Sequence, residues 1–307
     1  MIFITEGGEE LGMGHMLRVA QLIKVFEQRG FGMRVFAYAK DQLAADFATE
    51  HYWGIWDGEE CPPIMFSEVA IVDIMNTNNT LLTQLKARGI KHLVTIVGAG
   101  HTVDRDTHWI SDLVVYQAPR LSTHFKKVPG ENVLTGLSNI MVAPEFAEMS
   151  KFTPSVEAVV YFGGGMSGEL LNETVMALNE VGISFEIAGH ISWSYDMKSK
   201  YDKSMLYIGS MGMTVYEALT QNLQCIVVGR SPDHCFIAQT LEKKLGRHVI
   251  ANLGGMDVGS AEDLAYEIAR LASLRLTTYS PPICAPFSLD GMGVYRVANA
   301  IKELWNG

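Results

Sequence analysis

The sequence predicts an α/β fold of two halves, each a parallel sheet flanked by helices. Three observations carry this. Apolar runs of strand length alternate with amphipathic helical segments along most of the chain. The alternation pauses once, across the mixed polar stretch 146–155 with Pro144 and Pro154 beside or within it, and then restarts. Glycine-containing turns stand where strands hand over to helices. Short apolar strands separated by helices favour parallel sheets covered on both faces.

Taken in order, residues 1–5, 33–38, 69–72, 92–97 and 113–116 read as strands of the first half. Helical spacing at 15–29, 41–50 and 78–88 falls between several of them. The second half repeats the grammar, with strands at 156–162, 184–188, 205–208, 225–228 and 248–251. Its helices are expected at 168–181, 213–222, 234–245 and 260–274. A last segment from Asp290 reads as a helix that packs back on the first half. The expected division is therefore 1–147, 148–289 and a crossing-back helix at 290–307. Two such domains bind ligands beyond the carboxyl ends of their strands, so both are expected to face one cleft.

Composition excludes several classes. The chain of 307 residues carries a net charge of −10 and no basic run, which argues against nonspecific nucleic-acid binding. Four cysteines form no Cys-x-x-Cys pair and nine histidines show no zinc-motif spacing, so neither a metal nor a cofactor is called for. No apolar run reaches the ~18 residues of a membrane span, and the start lacks a basic segment followed by an apolar one. Cytoplasmic residence follows by default, with a small molecule as partner. Oligomeric state is not legible.

The most informative run is Leu11-Gly12-Met13-Gly14-His15-Met16-Leu17-Arg18, which follows the first strand and opens the first helix. Glycines such as Gly14 let the backbone bend tightly, and a helix start presents unpaired N–H groups to an anion. The helix dipole disfavours an imidazolium at that position, so His15 is expected to act as a neutral base. A histidine merely near the surface of a strand-to-helix turn fits the spacing as well. Asp73 ends another strand, where its carboxylate orients substrate or His15, or is simply solvated.

The second half supplies three further strand ends. Gly163 and Gly164 begin a glycine run that either lays N–H groups along a phosphate or makes a tight turn. Gly209, Ser210, Met211, Gly212, Met213 and Thr214 follow a strand and suit a diphosphate, with Glu217 accepting hydrogen bonds from ribose hydroxyls. Thr214-x-x-Glu217 is equally a capping box. After the next strand comes Arg230-Ser231-Pro232-Asp233-His234, where His234 contacts a ligand or Asp233 caps the following helix. Near the end, Asp290-Gly291-Met292-Gly293 makes a turn, and Arg296 is placed to reach acidic groups across the domains.

Taken together these segments resemble the PseG/SpsG family of nucleotide-sugar enzymes, related in fold to the MurG-like GT-B glycosyltransferases. The resemblance rests on Gly12-x-Gly14-His15-x-x-Arg18, Leu134-Thr135-Gly136, Val142-Ala143-Pro144-Glu145-Phe146, Phe162-Gly163-Gly164, Gly212-x-Thr214-x-x-Glu217 and Asp290-Gly291-x-Gly293-x-x-Arg296. It implies a GT-B-like pair of Rossmann-like domains. It also implies a UDP-sugar hydrolase of the pseudaminic acid pathway, acting in surface-glycan sugar biosynthesis on a UDP-linked modified amino sugar. In that family the N-terminal histidine activates water for attack at the anomeric carbon, and UDP leaves without an obligatory metal. His15 then becomes the general base, Asp73 its catalytic partner, and Arg18, His234 and Arg296 orient substrate. The chain departs from the family pattern at Asp73-Ile74-Met75, around 97–101, at Gly165-Met166 and at Asp233-His234. The last pair is reminiscent of the MurG-like glycosyltransferases. A glycosyltransferase with its own acceptor, or a catalytically idle nucleotide-sugar binding protein, are the alternatives.

Overall fold

The protein is described here from a computed structural model, which defines residues 1–58, 61–62, 67–75, 79–98, 110–119, 132–148, 154–163, 168–188, 197–255, 259–278 and 289–306. The chain divides into two compact units, Met1–Pro144 with Met292–Gly307, and Glu145–Gly291.

The first unit contains a seven-stranded sheet. Its strands are β1 (Ile2–Gly7), β2 (Arg34–Ala39), β3 (Gly54–Trp56), β4 (Val69–Asp73), β5 (His92–Val97), β6 (Leu113–Tyr116) and β7 (Val133–Leu134). They lie in the order β3-β2-β1-β4-β5-β6-β7, all pairings parallel. Alternation along β1 sends its side chains to two different cores. Phe3 faces α1 (Gly14–Glu27), where Val19, Leu22 and Phe26 recur at helical spacing and are fully buried. Ile2 and Ile4 face the opposite way, against Leu81, Leu82 and Leu85 of α3 (Asn79–Ala87). Helix α2 (Gln42–Glu50) follows β2 and is capped by Asp41, whose side chain accepts from the Ala44 N–H at 3.0 Å.

The second unit contains a five-stranded sheet of β8 (Ala158–Tyr161), β9 (Phe185–Ile187), β10 (Leu206–Ser210), β11 (Gln224–Gly229) and β12 (Ile250–Gly255), ordered β12-β11-β10-β8-β9 and again parallel. Its helices are α4 (Gly168–Glu180), α5 (Met197–Asp202), α6 (Met213–Thr220), α7 (Pro232–Leu245) and α8 (Ala261–Thr277). Leu170 and Leu178 of α4, with Leu264, Ile268 and Leu271 of α8, cover one face of the sheet over Val160, Ile208 and Ile226. Side chains of this size contribute roughly 1.5–3 kcal/mol each when taken fully out of water.

The last helix, α9 (Gly293–Asn306), returns to the first unit and packs Val294, Val297 and Ile301 with α1 into the Phe3 core. Its far end packs Trp305 against Phe31 with the rings tilted by 42° and their centres 5.2 Å apart. The entry to α9 is tight: a Cβ at Gly293 would sit 1.9 Å from the Ile140 carbonyl oxygen.

The sequence pattern omitted β3, β7 and α5. Two of them are strands of three and two residues, β3 at the edge with Ile55 exposed, and neither is long enough to show alternation. The stretch read as a linker begins inside a structured element. Pro144–Ala147 forms a 3-10 turn, Phe146 is buried, and the side chain of Gln221 donates to its carbonyl at 3.1 Å.

Candidate functional site

In a parallel sheet all carboxyl ends lie along one edge, and each unit gathers polar groups there. In the first unit β1 and β4 run side by side with Thr5 opposite Asp73. Helix α1 starts just beyond β1. His15 and Arg18, three residues apart on that helix, therefore share a face and converge on Asp73. All three are buried, at 6%, 6% and 0% exposure.

The hydrogen bonds assign the protons. Asp73 Oδ1 lies 2.8 Å from His15 Nδ1 and 2.8 Å from Arg18 Nη2, while Oδ2 accepts from Arg18 Nε at 2.9 Å. The guanidinium only donates and the ionised carboxylate only accepts. His15 Nδ1 then carries its proton toward Asp73, and Arg18 Nη2, 3.1 Å from the same nitrogen, makes no hydrogen bond to it in that tautomer. In the neutral ring the lone pair is accordingly on Nε2. Burial alone would raise the Asp73 pKa, but Arg18 and His15 together hold it well below the usual carboxylate range. Asp73 and His15, candidates on separate elements, are thus brought into direct hydrogen bonding. Arg18, expected to orient substrate, donates from Nε and Nη2 to Asp73.

Glu6 is a group the sequence reading missed. It is buried at the end of β1, accepts from the Met75 backbone N–H, and pairs with Lys40 at 3.2 Å. A carboxylate closing an otherwise apolar strand was the available signal.

In the second unit the ends of β8, β10 and β11 converge. Gly163 follows β8, and a Cβ there would lie 3.3 Å from Ser210 Oγ. Gly164 lies outside the described residues. Gly209 is a glycine for a packing reason, since a Cβ would fall 1.9 Å from the Tyr161 carbonyl oxygen. Met211 donates its N–H to the Val228 carbonyl at 2.9 Å, tying this turn to β11. Gly212, at the N-cap of α6, is extended, and a Cβ there would meet no described atom within 4 Å. Met213 is the first residue of α6.

The capping box does not form. No side chain caps α6, and Thr214 Oγ1 instead pairs with the Tyr207 hydroxyl at 2.8 Å. Among the helices whose N-cap is described, α1 and α6 lack a side-chain cap, whereas α2, α7 and α8 use Asp41, Ser231 and Ser260. The first-turn N–H groups of α1 and α6 are left for other acceptors. Glu217, freed from capping, has its Oε2 buried without a hydrogen-bond partner among the described residues. Burial, reinforced by the Glu145 carboxylate, raises its carboxyl to about 8.

Asp233 does not cap α7. Ser231 does, with Pro232 in the first turn. The Ser231 hydroxyl accepts the His234 N–H at 3.3 Å and lies 2.7 Å from His234 Nδ1. With the hydroxyl proton given to Nδ1, the ring presents Nε2–H. Burial and then Arg230 lower the His234 pKa to about 4, so this ring is a neutral donor. Arg296, expected to reach across the domains, donates from Nη1 to the Ser138 carbonyl at 2.8 Å inside the first unit. Among the described residues no group of three or more His, Cys, Asp or Glu side chains is arranged to hold a metal ion, and no helix is long and apolar enough to cross a membrane.

By sequence, no protein-family model and no curated protein matches the chain. Solved structures are similar over nearly its whole length. MurG from Acinetobacter baumannii aligns at a TM-score of 0.61 with 12% identity, over 98% of this chain and 99% of that one. UGT89C1 from Arabidopsis thaliana, solved with UDP-L-rhamnose, gives 0.55 and 13% over 98% of each chain. A putative UDP-N-acetylglucosamine 2-epimerase from Listeria monocytogenes gives 0.56 and 9%, over 99% and 96%. At such identities the likeness is one of fold. The chain has the GT-B fold, built from two Rossmann-like parallel-sheet units.

Proposed function

We propose that the protein is a nucleotide-sugar hydrolase that cleaves the anomeric C–O bond of a UDP-linked modified amino sugar. The observation that carries this reading is the His15–Asp73 pair: an imidazole whose Nδ1 proton is held by a buried carboxylate at 2.8 Å, at the start of a helix without a side-chain cap. Such pairing fixes the tautomer and aim of a general base.

The step balances as follows. A water oxygen attacks the anomeric carbon while its proton passes to His15 Nε2. The bond from that carbon to the β-phosphate oxygen breaks, and its electron pair leaves with UDP. The backbone N–H groups at the start of α6, together with Gly163, Ser210 and Thr214, face the diphosphate, and Glu217 takes the ribose hydroxyls. Dipoles fixed beforehand at a leaving group lower its barrier without reorganising. Among the described residues, the orphaned Glu217 oxygen and the lack of any atom within 4 Å of a Cβ at Gly212 support this placement. UDP-L-rhamnose in the similar UGT89C1 structure supports the ligand class. Surface-glycan sugar synthesis, with pseudaminic acid precursors as substrates, is the pathway proposed, and the cytoplasm its place.

The similar structure of a glycosyltransferase from Rickettsia africae favours a second reading, in which an acceptor hydroxyl replaces water. One assay separates the two: UDP-sugars are incubated with the protein, and UDP and free sugar are quantified with and without acceptor alcohols. Hydrolysis predicts both products without acceptor and their loss in His15→Ala. UDP released only with acceptor present supports transfer, and binding without turnover defeats both.

A further inference from the structure

Arg230 is a group that the proposed chemistry has not yet used. It is the first residue after β11, next to the strand segment whose Val228 carbonyl receives the Met211 N–H. Gly229 before it packs on Cys235, and a Cβ there would sit 2.3 Å from the Sγ, so the turn that carries Arg230 is close-packed. The Arg230 side chain is partly buried, and Ser210 at the end of β10 pairs with Val228 two residues before it. The Tyr207 hydroxyl touches Thr214 Oγ1 at 2.8 Å and the Ser210 carbonyl at 3.3 Å. The pairing of β10 with β11, with the Met211 N–H bound to the Val228 carbonyl, sets residue 230 beside the turn that enters α6.

Charge balance gives this position its meaning. The chain carries −10 overall, and Glu145 and Glu217 lie close enough to each other to interact. A nucleoside diphosphate brings at least two further negative charges. The start of α6 offers only about half an elementary charge, and His234 is neutral at pH 7.

We propose that Arg230 grips the β-phosphate of a bound nucleoside diphosphate, its N–H groups donating to the non-bridging oxygens. The inference rests on the nucleotide reading of the second unit. A guanidinium matches phosphate oxygens as a fork, and it holds the negative charge that builds as the C–O electron pair moves onto the leaving UDP.

Calorimetric titration with UDP and with uridine, on the full chain and on Arg230→Gln and Arg230→Lys, tests this. Arg230→Gln should weaken UDP by about 10- to 100-fold, the range of a charged hydrogen bond. Uridine, which lacks phosphate, should bind both proteins equally within about twofold, and Arg230→Lys should recover part of the UDP affinity because the charge returns. The UDP affinity of the parent should also fall more steeply with added salt than that of Arg230→Gln. An equal loss for uridine and UDP, or a UDP affinity indifferent to Arg230→Gln, overturns the proposal while leaving the nucleotide reading intact. A parent protein that binds no UDP overturns that reading and this proposal with it.

Discussion

Asp73 Oδ1 accepts the Nδ1 proton of His15 at 2.8 Å, inside a cluster where neither residue is more than 6% exposed. The two residues are 58 positions apart and meet because β1 and β4 are neighbours in the sheet. A carboxylate buried beside an imidazole acts on which nitrogen carries the lone pair. His15→Ala should therefore lower UDP release by about 10²–10⁴-fold, the usual worth of a positioned base. Asp73→Asn should cost most of the same, since an amide no longer demands the Nδ1–H tautomer. Single-turnover UDP release measures both, and full activity in either variant removes His15 from the reaction.

Arg18 is expected to matter for stability first. Removing it leaves the Asp73 charge buried, and breaking a buried pair typically costs about 3–5 kcal/mol. Asp73 titrates below its unfolded value, so its contribution is fully present above the ordinary aspartate range and is lost only as pH falls from there through the depressed folded value. Arg18→Gln should thus lower Tm markedly at pH 7, with a smaller difference from the parent only well below pH 4. Thermal melts across that range check the sign, and a penalty independent of pH would place the role of Arg18 in packing.

Glu217 has the opposite linkage. Its folded carboxyl titrates at about 8, whereas an unfolded glutamate loses its proton near about 4.3. Between those values the folded chain holds the extra proton, so stability falls as pH rises. Glu217→Gln should therefore raise Tm over the parent by more at pH 8 than at pH 5. If ribose hydroxyls donate to the ionised carboxylate, UDP binding at pH 7 should release a proton. Calorimetry in buffers of differing ionisation enthalpy detects that release, and its absence rejects the ribose role.

The two glycines flanking the α6 turn should separate folding from binding. Gly209→Ala forces a methyl group to within 1.9 Å of the Tyr161 carbonyl oxygen. Overpacking of this kind costs about 1–3 kcal/mol or more. Gly212→Ala meets no described atom within 4 Å at an extended backbone, so Tm should barely change. UDP affinity should nevertheless fall, because the methyl group enters the space assigned to diphosphate. A Gly212→Ala protein that binds UDP normally would move the diphosphate elsewhere.

What the sequence determined by itself was the architecture. Alternating apolar strands and amphipathic helices follow from backbone periodicity, a local property, and they appear as two parallel sheets with the last helix packed on the first. Short elements such as β3 and β7 escaped because two or three residues carry no period. Side-chain partners were another matter. Thr214 and Glu217 have the spacing of a capping box, yet Thr214 turns to Tyr207, a residue from the preceding strand. Asp233 has the chemistry of a cap, yet Ser231 takes the position because Pro232 occupies the first turn. Arg18 looked available to substrate until β4 brought Asp73 beside it. A hydrogen bond is decided by which groups the sheet order places within about 3 Å, and sheet order is set by packing of distant segments.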